Sequence, residues 1–262
     1  MGQDKLSVNL LTRASPVSPC LRYLCHGASS KKLMKALSQY NKALDFRIEL
    51  KETRLKRVAK MIESLPTGRM LDVGCADGTW ANYWSKRGWQ IFGVDLNEKN
   101  AVQASERSVR AVVVDLAQSS LPFAGNSFDL IFAGEIVEHL IDTDGFMREC
   151  HRCLRVEGML IITTPNLVSL ENRIRMFFGF YPHWVDFKLR GSGHVRAYTP
   201  RALQGQLKEN GFTVKKVSGN WVPFVPQNIL HDIQLPILGV TGLLFPSLAQ
   251  TIIILAQRND CA

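Results

Sequence analysis

No stretch of this sequence stays apolar for the roughly 20 residues that a membrane-crossing helix requires. The nearest approach, Leu235–Pro246, ends after twelve residues and is broken by proline and glycine. The six cysteines, Cys20, Cys25, Cys75, Cys150, Cys153 and Cys261, form no disulfide framework in a chain of this length. Cys150-His151-Arg152-Cys153 lacks the second ligand pair of a zinc site and reads as a helix surface. The N-terminus shows no charged start, apolar middle and small-residue cleavage site, and after Gly2 the serine falls one place too late for myristoylation. A cytoplasmic setting is therefore expected, against only a weak transit-peptide character in residues 5–31. Internal repeats and low-complexity tracts are missing as well.

What is present is a globular balance: 262 residues, 46% hydrophobic and 21% charged, enough to bury a sizeable core in one α/β domain. The net charge of +9 is unevenly spread, with 13 Lys/Arg against 5 Asp/Glu in residues 1–66 and 19 against 18 in residues 67–262. A basic N-terminal segment could meet nucleic acid or an anionic membrane. No aromatic-interleaved basic stripe accompanies it, so nucleic acid is not the expected partner and a solvated helix face accounts for the charge.

Residues 1–30, with Pro16, Pro19 and Gly27, read as an irregular lead-in. From residue 31 to 66, apolar positions such as Leu37, Leu44, Leu55, Val58 and Ile62 recur at helical spacing, broken near Tyr40–Asn41 and stopped by Pro66. Two amphipathic helices are expected there. From residue 67 onward short apolar runs alternate with helical patterns: Met70–Val73, Gln90–Val94, Ala111–Val114, Phe128–Ala133 and Met159–Thr163 are strand-like. That rhythm predicts βαβ units in a doubly wound, mostly parallel sheet with ligands at the C-terminal strand ends. An insertion around 165–200 begins with a helix over about Val168–Phe178. A further helix starts at Thr199-Pro200, with Thr199 as N-cap, and ends at Asn210-Gly211. Phe212–Val217 and Thr251–Ala256 read as the last strands.

The chemistry-bearing residues fall where that architecture predicts a ligand. In Leu71-Asp72-Val73-Gly74-Cys75-Ala76-Asp77-Gly78 a strand enters a tight turn: Gly74 and Gly78 tolerate dihedrals that a Cβ forbids, and small Ala76 leaves room for a ligand against the backbone. Asp95 ends the second strand, where a carboxylate can accept hydrogen bonds from both hydroxyls of a ribose, with Leu96 beside it. Asp115 ends the third, followed by Leu116, and suits an adenine amino group with apolar walls for the ring. The loop after the fourth strand, Gly134 to Leu140, offers Glu135, Glu138 and His139.

These motifs resemble the type-11 methyltransferase domains of the class I S-adenosylmethionine-dependent superfamily. The resemblance rests on Asp115-Leu116, Leu121-Pro122-Phe123, Asn126-Ser127-Phe128-Asp129-Leu130-Ile131, Gly134-Glu135-Ile136-Val137-Glu138-His139-Leu140, Arg155-Val156-Glu157-Gly158, Ile162-Thr163-Thr164-Pro165-Asn166 and Gly193-His194-Val195-Arg196-Ala197-Tyr198-Thr199, and covers residues 66–218. It implies an α/β, Rossmann-like doubly wound fold of seven strands in the order 3-2-1-4-5-7-6, with an N-terminal helical extension. It also implies S-adenosyl-L-methionine bound by Asp72, Gly74, Ala76, Gly78, Asp95, Leu96, Asp115, Leu116 and Glu135. Two positions depart from the family pattern: Ala76 stands where a middle glycine is usual, and Glu157 stands in a turn that usually reads Pro-Gly. A nicotinamide dehydrogenase competes poorly for the glycine turn. Thr79 occupies the sixth place of its fingerprint, and Asp72 would repel a pyrophosphate where it could face a sulfonium or amino cation.

Methyl transfer to a hydroxyl needs alignment and a base, and His139 or His194 is the expected proton acceptor. No metal site is assigned. A divalent ion on Glu135, Glu138, His139 and His194 is the alternative, because RNA 3′-end and quinone O-methyltransferases use a similar Glu-x-x-Glu-His. Acceptor choice is expected to fall to the 165–200 insertion and the apolar stretch 221–248, which between Lys216 and Arg258 has Asp232 as its one charge. That stretch reads as a buried cover, an oligomer interface or a peripheral membrane contact for a small, glycan or lipid-linked acceptor. A cofactor-binding partner protein without catalysis is the remaining alternative.

Overall fold

The computed structural model describes residues 52–118, 120–185, 193–223 and 236–259. The irregular lead-in, the first N-terminal helix and residues 224–235 of the apolar stretch 221–248 lie outside these residues. The second N-terminal helix is present as α1 (Thr53–Ile62), followed by β1 (Arg69–Val73), α2 (Thr79–Ser85), β2 (Gln90–Asp95), α3 (Glu98–Glu106) and β3 (Arg110–Val113). Next come β4 (Phe128–Gly134), a 3-10 turn (Val137–His139), α4 (Thr143–Cys153), β5 (Leu154–Pro165) and α5 (Leu170–Phe177). The chain closes with α6 (Pro200–Glu209), β6 (Phe212–Gly219), α7 (Pro236–Leu244) and β7 (Thr251–Arg258).

Seven strands form one sheet in the order β3-β2-β1-β4-β5-β7-β6. β1 to β5 pair in parallel, and β7 runs antiparallel between β5 and β6. Both faces of the central strands are covered, and this explains their continuous apolar runs. Leu71, Val73, Ile131 and Ala133 face α4 and α6 with Phe146, Met147, Leu203 and Leu207. Met70, Leu130, Phe132 and Ile161 face α1 and α2 with Leu55, Val58, Ile62, Trp80 and Trp84. The apolar periodicity of the second N-terminal helix is thus that of a core layer lying across the sheet.

Local signals set the element ends. Thr199 caps α6 by accepting from the Ala202 amide, with Pro200 at the first position. Asp142, Asn97 and Ser169 cap α4, α3 and α5 in the same way. Cys150 and Cys153 do not lie on a helix surface as expected: both are fully buried on the inner face of α4. No helix among the described residues is long and apolar enough to cross a membrane.

Candidate functional site

Because β1 leads outward to β2 and β3 while β4 and β5 lie on its other side, the strand order reverses between the parallel neighbours β1 and β4. A crevice opens there at the C-terminal strand ends. The turn after β1 forms one wall and the 3-10 turn after β4 the other. Gly74 lies against Ile136, whose Cδ1 tip would stand 2.4 Å from an added Cβ, and its left-handed φ of +75° is what favours glycine there. Gly78, at φ +77°, brings the start of α2 so close to α3 that a Cβ would lie 2.7 Å from the Ala104 Cα.

The acidic residues expected to read a nucleoside all stand at this edge. Asp95, the last residue of β2, accepts from the Ala76 amide at 2.9 Å and the Asn97 amide at 2.8 Å, so it also fixes the shape of the glycine turn. Leu96 follows it, half-exposed. Asp115 lies two residues beyond the end of β3 and accepts from the Ala117 amide at 3.0 Å, and Leu116 packs its half-buried side chain on the core. Asp72 is inside β1 and 1% exposed; its Oδ2 has no hydrogen-bond partner among the described residues. Burial, with the Asp95 carboxylate as a second cause, pushes its pKa from 3.8 up to about 8. A buried acid with an orphan oxygen, under a glycine turn, fits a cationic nucleoside donor: the cation would restore its charge.

On the other wall the sequence-predicted groups separate into two sets. Glu135 adopts φ +57°, accepts from the Thr163 hydroxyl at 2.8 Å and faces the Arg54 guanidinium at 3.9 Å. Arg54 reaches in from α1 and also donates to Thr163 Oγ1 at 3.2 Å. Burial alone would lower its pKa, but Glu135 and Glu52 outweigh that and raise it. Arg54 was missed in the sequence, although it shares a helix face with Val58 four residues on, and a charge in an apolar stripe is the signal.

Glu138, His139 and His194 form the second set, with ligand atoms all within 4.8 Å of one another. Glu138 is 1% exposed; its Oε2 accepts from the Thr164 hydroxyl at 2.9 Å, and its Oε1 has no hydrogen-bond partner among the described residues and faces His194 Nε2 at 4.0 Å. Burial, then the nearby Glu135, raises its pKa well above the usual carboxylate range. The imidazole rings are 4.9 Å apart. His139 Nδ1 contacts the Gly193 carbonyl at 3.3 Å and His194 Nδ1 the Trp184 carbonyl at 2.8 Å. A carbonyl only accepts, so each Nδ1 is the donor in its contact. Burial, then His194, lowers the His139 pKa from 6.5 to about 4. Of the four groups read as a metal set, three therefore converge, while Glu135 is turned to Thr163 and Arg54.

Residues 71–162 match the family model described as a methyltransferase domain. Over 156 residues the chain is 33% identical to the ubiquinone biosynthesis O-methyltransferase of Sinorhizobium fredii, covering 58% of this chain and 62% of that protein. Over 189 residues it is 27% identical to the mitochondrial ubiquinone biosynthesis O-methyltransferase of Bos taurus, covering 65% of this chain and 48% of that protein. The chain thus spans less than two thirds of these curated relatives. The crystal structure of an S-adenosylmethionine-dependent methyltransferase from Mesorhizobium loti shares the fold, with a TM-score of 0.56 and 18% identity over 79% of this chain and 99% of that one. The chain is therefore similar to a methyltransferase domain from β1 into β5, and its sheet has the fold of S-adenosylmethionine-dependent methyltransferases of known structure.

Proposed function

We propose that this protein moves a methyl group from S-adenosylmethionine to a hydroxyl oxygen of a small, lipid-linked acceptor. The observation that carries the reading is the convergence of Glu138, His139 and His194 beside the glycine turn. The names of the relatives add weight to a quinol-type hydroxyl over a glycan. S-adenosylmethionine, when bound, would supply an electrophilic methyl carbon on a sulfonium, with the neutral thioether as the leaving group.

The residues divide the remaining work. Asp95 and Asp115 orient the nucleoside, and Asp72 balances its positive end. The hydroxyl proton passes to an imidazole Nε2. His139, with a pKa near 4, holds a proton poorly, which leaves that role to His194. An imidazolium at His194 would rest 4.0 Å from Glu138 Oε1, a carboxyl that ionises readily once a cation stands beside it.

A second reading draws on the same convergence. One carboxylate and two imidazoles whose other nitrogens donate to backbone carbonyls form a set that suits a divalent transition metal. Glu138, His139 and His194 would hold it, and its chemistry would be to acidify the acceptor hydroxyl.

Calorimetry with S-adenosylmethionine, followed by turnover of labelled methyl into a lipid extract, tests both readings. Asp95→Asn is expected to weaken cofactor binding by about 1–2 kcal/mol through lost charge-assisted hydrogen bonds. His194→Gln is expected to keep cofactor binding and lose turnover. Turnover that survives EDTA supports the base reading, and loss restored by added metal supports the second. Cofactor binding with no methylated product would overturn both and leave a non-catalytic partner protein.

A further inference from the structure

The insertion after β5 presents a surface that neither the cofactor crevice nor the proton-handling groups use. Phe177, Phe178 and Phe180 are 84%, 67% and 62% exposed, and Tyr181 and Trp184 are also exposed. Across the same rim of the sheet stands the end of α7, where Leu244 is 66% exposed and Phe245 follows it. The two parts are joined: the Leu170 amide at the start of α5 donates to the Leu248 carbonyl at 2.9 Å, and Asn166 Nδ2 donates to the Ser247 and Ala249 carbonyls. Soluble surfaces rarely gather so many large apolar side chains in one place without a partner.

The hairpin is built rather than loose. Asn172, 1% exposed, donates to the His183 carbonyl at 3.2 Å and accepts from the His183 amide at 2.7 Å, which closes residues 172–183 into a rigid projection. Its far end is fixed to the site, because His194 Nδ1 donates to the Trp184 carbonyl.

Charge decides the partner. From Asn172 to Val185 there are two arginines and no acid, and from Val240 to Asn259 there is no acid either. Glu171, at the foot of the hairpin, is turned inward to Gln250 at 3.0 Å and His183 at 3.5 Å. Arg173 is exposed and Arg175 half-exposed at the base of the aromatic tip. A two-fold contact with a second copy would set this arginine-bearing surface against itself, with no carboxylate among its described residues 172–185 and 240–259 to meet the arginines. An anionic headgroup layer supplies that partner, and phenylalanine, tyrosine and tryptophan are the side chains that settle at the boundary between headgroup and acyl chain.

We infer that the Arg173–Trp184 hairpin and the end of α7 dock this protein on an anionic lipid bilayer, with Phe177, Phe178 and Phe180 entering the interface and Arg173 and Arg175 at the headgroups. The inference goes beyond methyl transfer and stands without it. Its consequence is that the site group His194 rests one hydrogen bond from the membrane anchor.

The test is co-sedimentation of the full chain, without cofactor, with vesicles of phosphatidylcholine alone or with about one third phosphatidylglycerol. Partition onto the anionic vesicles is expected to be about tenfold stronger and to fall with salt. The pairs Phe177→Ser/Phe178→Ser and Arg173→Glu/Arg175→Glu are each expected to lose about tenfold, with S-adenosylmethionine binding unchanged as the sign of an intact fold. Failure of the wild type to sediment with anionic vesicles overturns the inference. So does wild-type partition in both double variants, which would assign the attraction to the basic N-terminal residues. A dimer that the phenylalanine pair converts to monomer, with partition unchanged, would assign the surface to a second copy. Loss of methyl transfer with vesicle binding intact would sink the proposed function alone.

Discussion

Ala76 and Glu157 hold φ angles of +46° and +61°. They are the two positions where the sequence departs from the glycine-bearing family pattern, so the backbone keeps the left-handed turn and the side chain bears the strain. A left-handed conformation costs a non-glycine residue roughly 1–2 kcal/mol, and glycine returns about 0.5–1 kcal/mol of that through its freer unfolded chain. At Glu157 the side chain is exposed, and the Gln257 side-chain amide donates to the Glu157 carbonyl, a bond that glycine retains. Glu157→Gly is therefore expected to stabilise the protein by about 0.5–1 kcal/mol, read as a rise of a few degrees in Tm. An unchanged or lower Tm would show the strain to be relieved elsewhere. Glu135, also left-handed at φ +57°, differs because its carboxylate is engaged by Thr163 and Arg54. Backbone strain held at a crevice wall by a buried pair is the pattern of a functional position.

At the scale of elements, α1 does two things. Its apolar stripe covers the sheet, and its Arg54 neutralises the wall of the crevice. Removing that guanidinium leaves Glu135 beside the buried Glu138 with no other Lys or Arg paired to either among the described residues. Arg54→Met is expected to cost about 2 kcal/mol, measured by denaturant unfolding, because breaking a mostly buried charge pair strands its partner. Arg54→Lys should recover only part of it, since the guanidinium bridges Glu52 and Thr163 through separate nitrogens that a single ammonium cannot match. A cost under about 0.5 kcal/mol for Arg54→Met would mean the pair is solvated. The periodicity of α1 was legible in the sequence, while its place across β1, β4, β5 and β7 was not, because a stripe of apolar residues says that a face is buried and not against what. β5 shows a similar limit. The apolar run Met159–Thr163 marked its centre, and the strand extends to Leu154–Pro165 through exposed residues that carry no such signal.

For the whole molecule, buried titratable groups make stability depend on pH in a way the net charge of +9 does not indicate. Asp72 has its pKa raised from 3.8 to about 8, so the folded chain holds a proton the unfolded chain has lost, and stability falls as pH rises across that window. His139, lowered from 6.5 to about 4, acts in the opposite sense, and its contribution is complete above pH 6.5. Between pH 6.5 and 8 the Asp72 effect is therefore unopposed by His139. The ligand-free protein is expected to lose up to about 1.4 kcal/mol per pH unit there for the one proton involved. S-adenosylmethionine, by placing a cation near the crevice, should expel that proton. Calorimetry at pH 7 in two buffers of different ionisation enthalpy would then report release of close to one proton, reduced to near zero in Asp72→Asn. Equal heats in both buffers would remove Asp72 from the cofactor site.

The sequence by itself determined the alternation of strands and helices, the glycine turn and the acids at successive strand ends, because periodicity, turn chemistry and cofactor-binding spacing are local properties of the chain. Tertiary structure alone decided which of those groups meet. His194 joins Glu138 and His139 from a loop 55 residues beyond His139, and Glu135, three residues from Glu138, is drawn away by an arginine from α1. The apolar 221–248 stretch drew attention in the sequence by its lack of charge. The hairpin of 173–184 lies in the insertion expected to select the acceptor, but its exposed phenylalanines are indistinguishable from core residues until the fold shows which side of the chain faces solvent. Side-chain type records what a residue can do, and only the packing of distant segments fixes what stands opposite it.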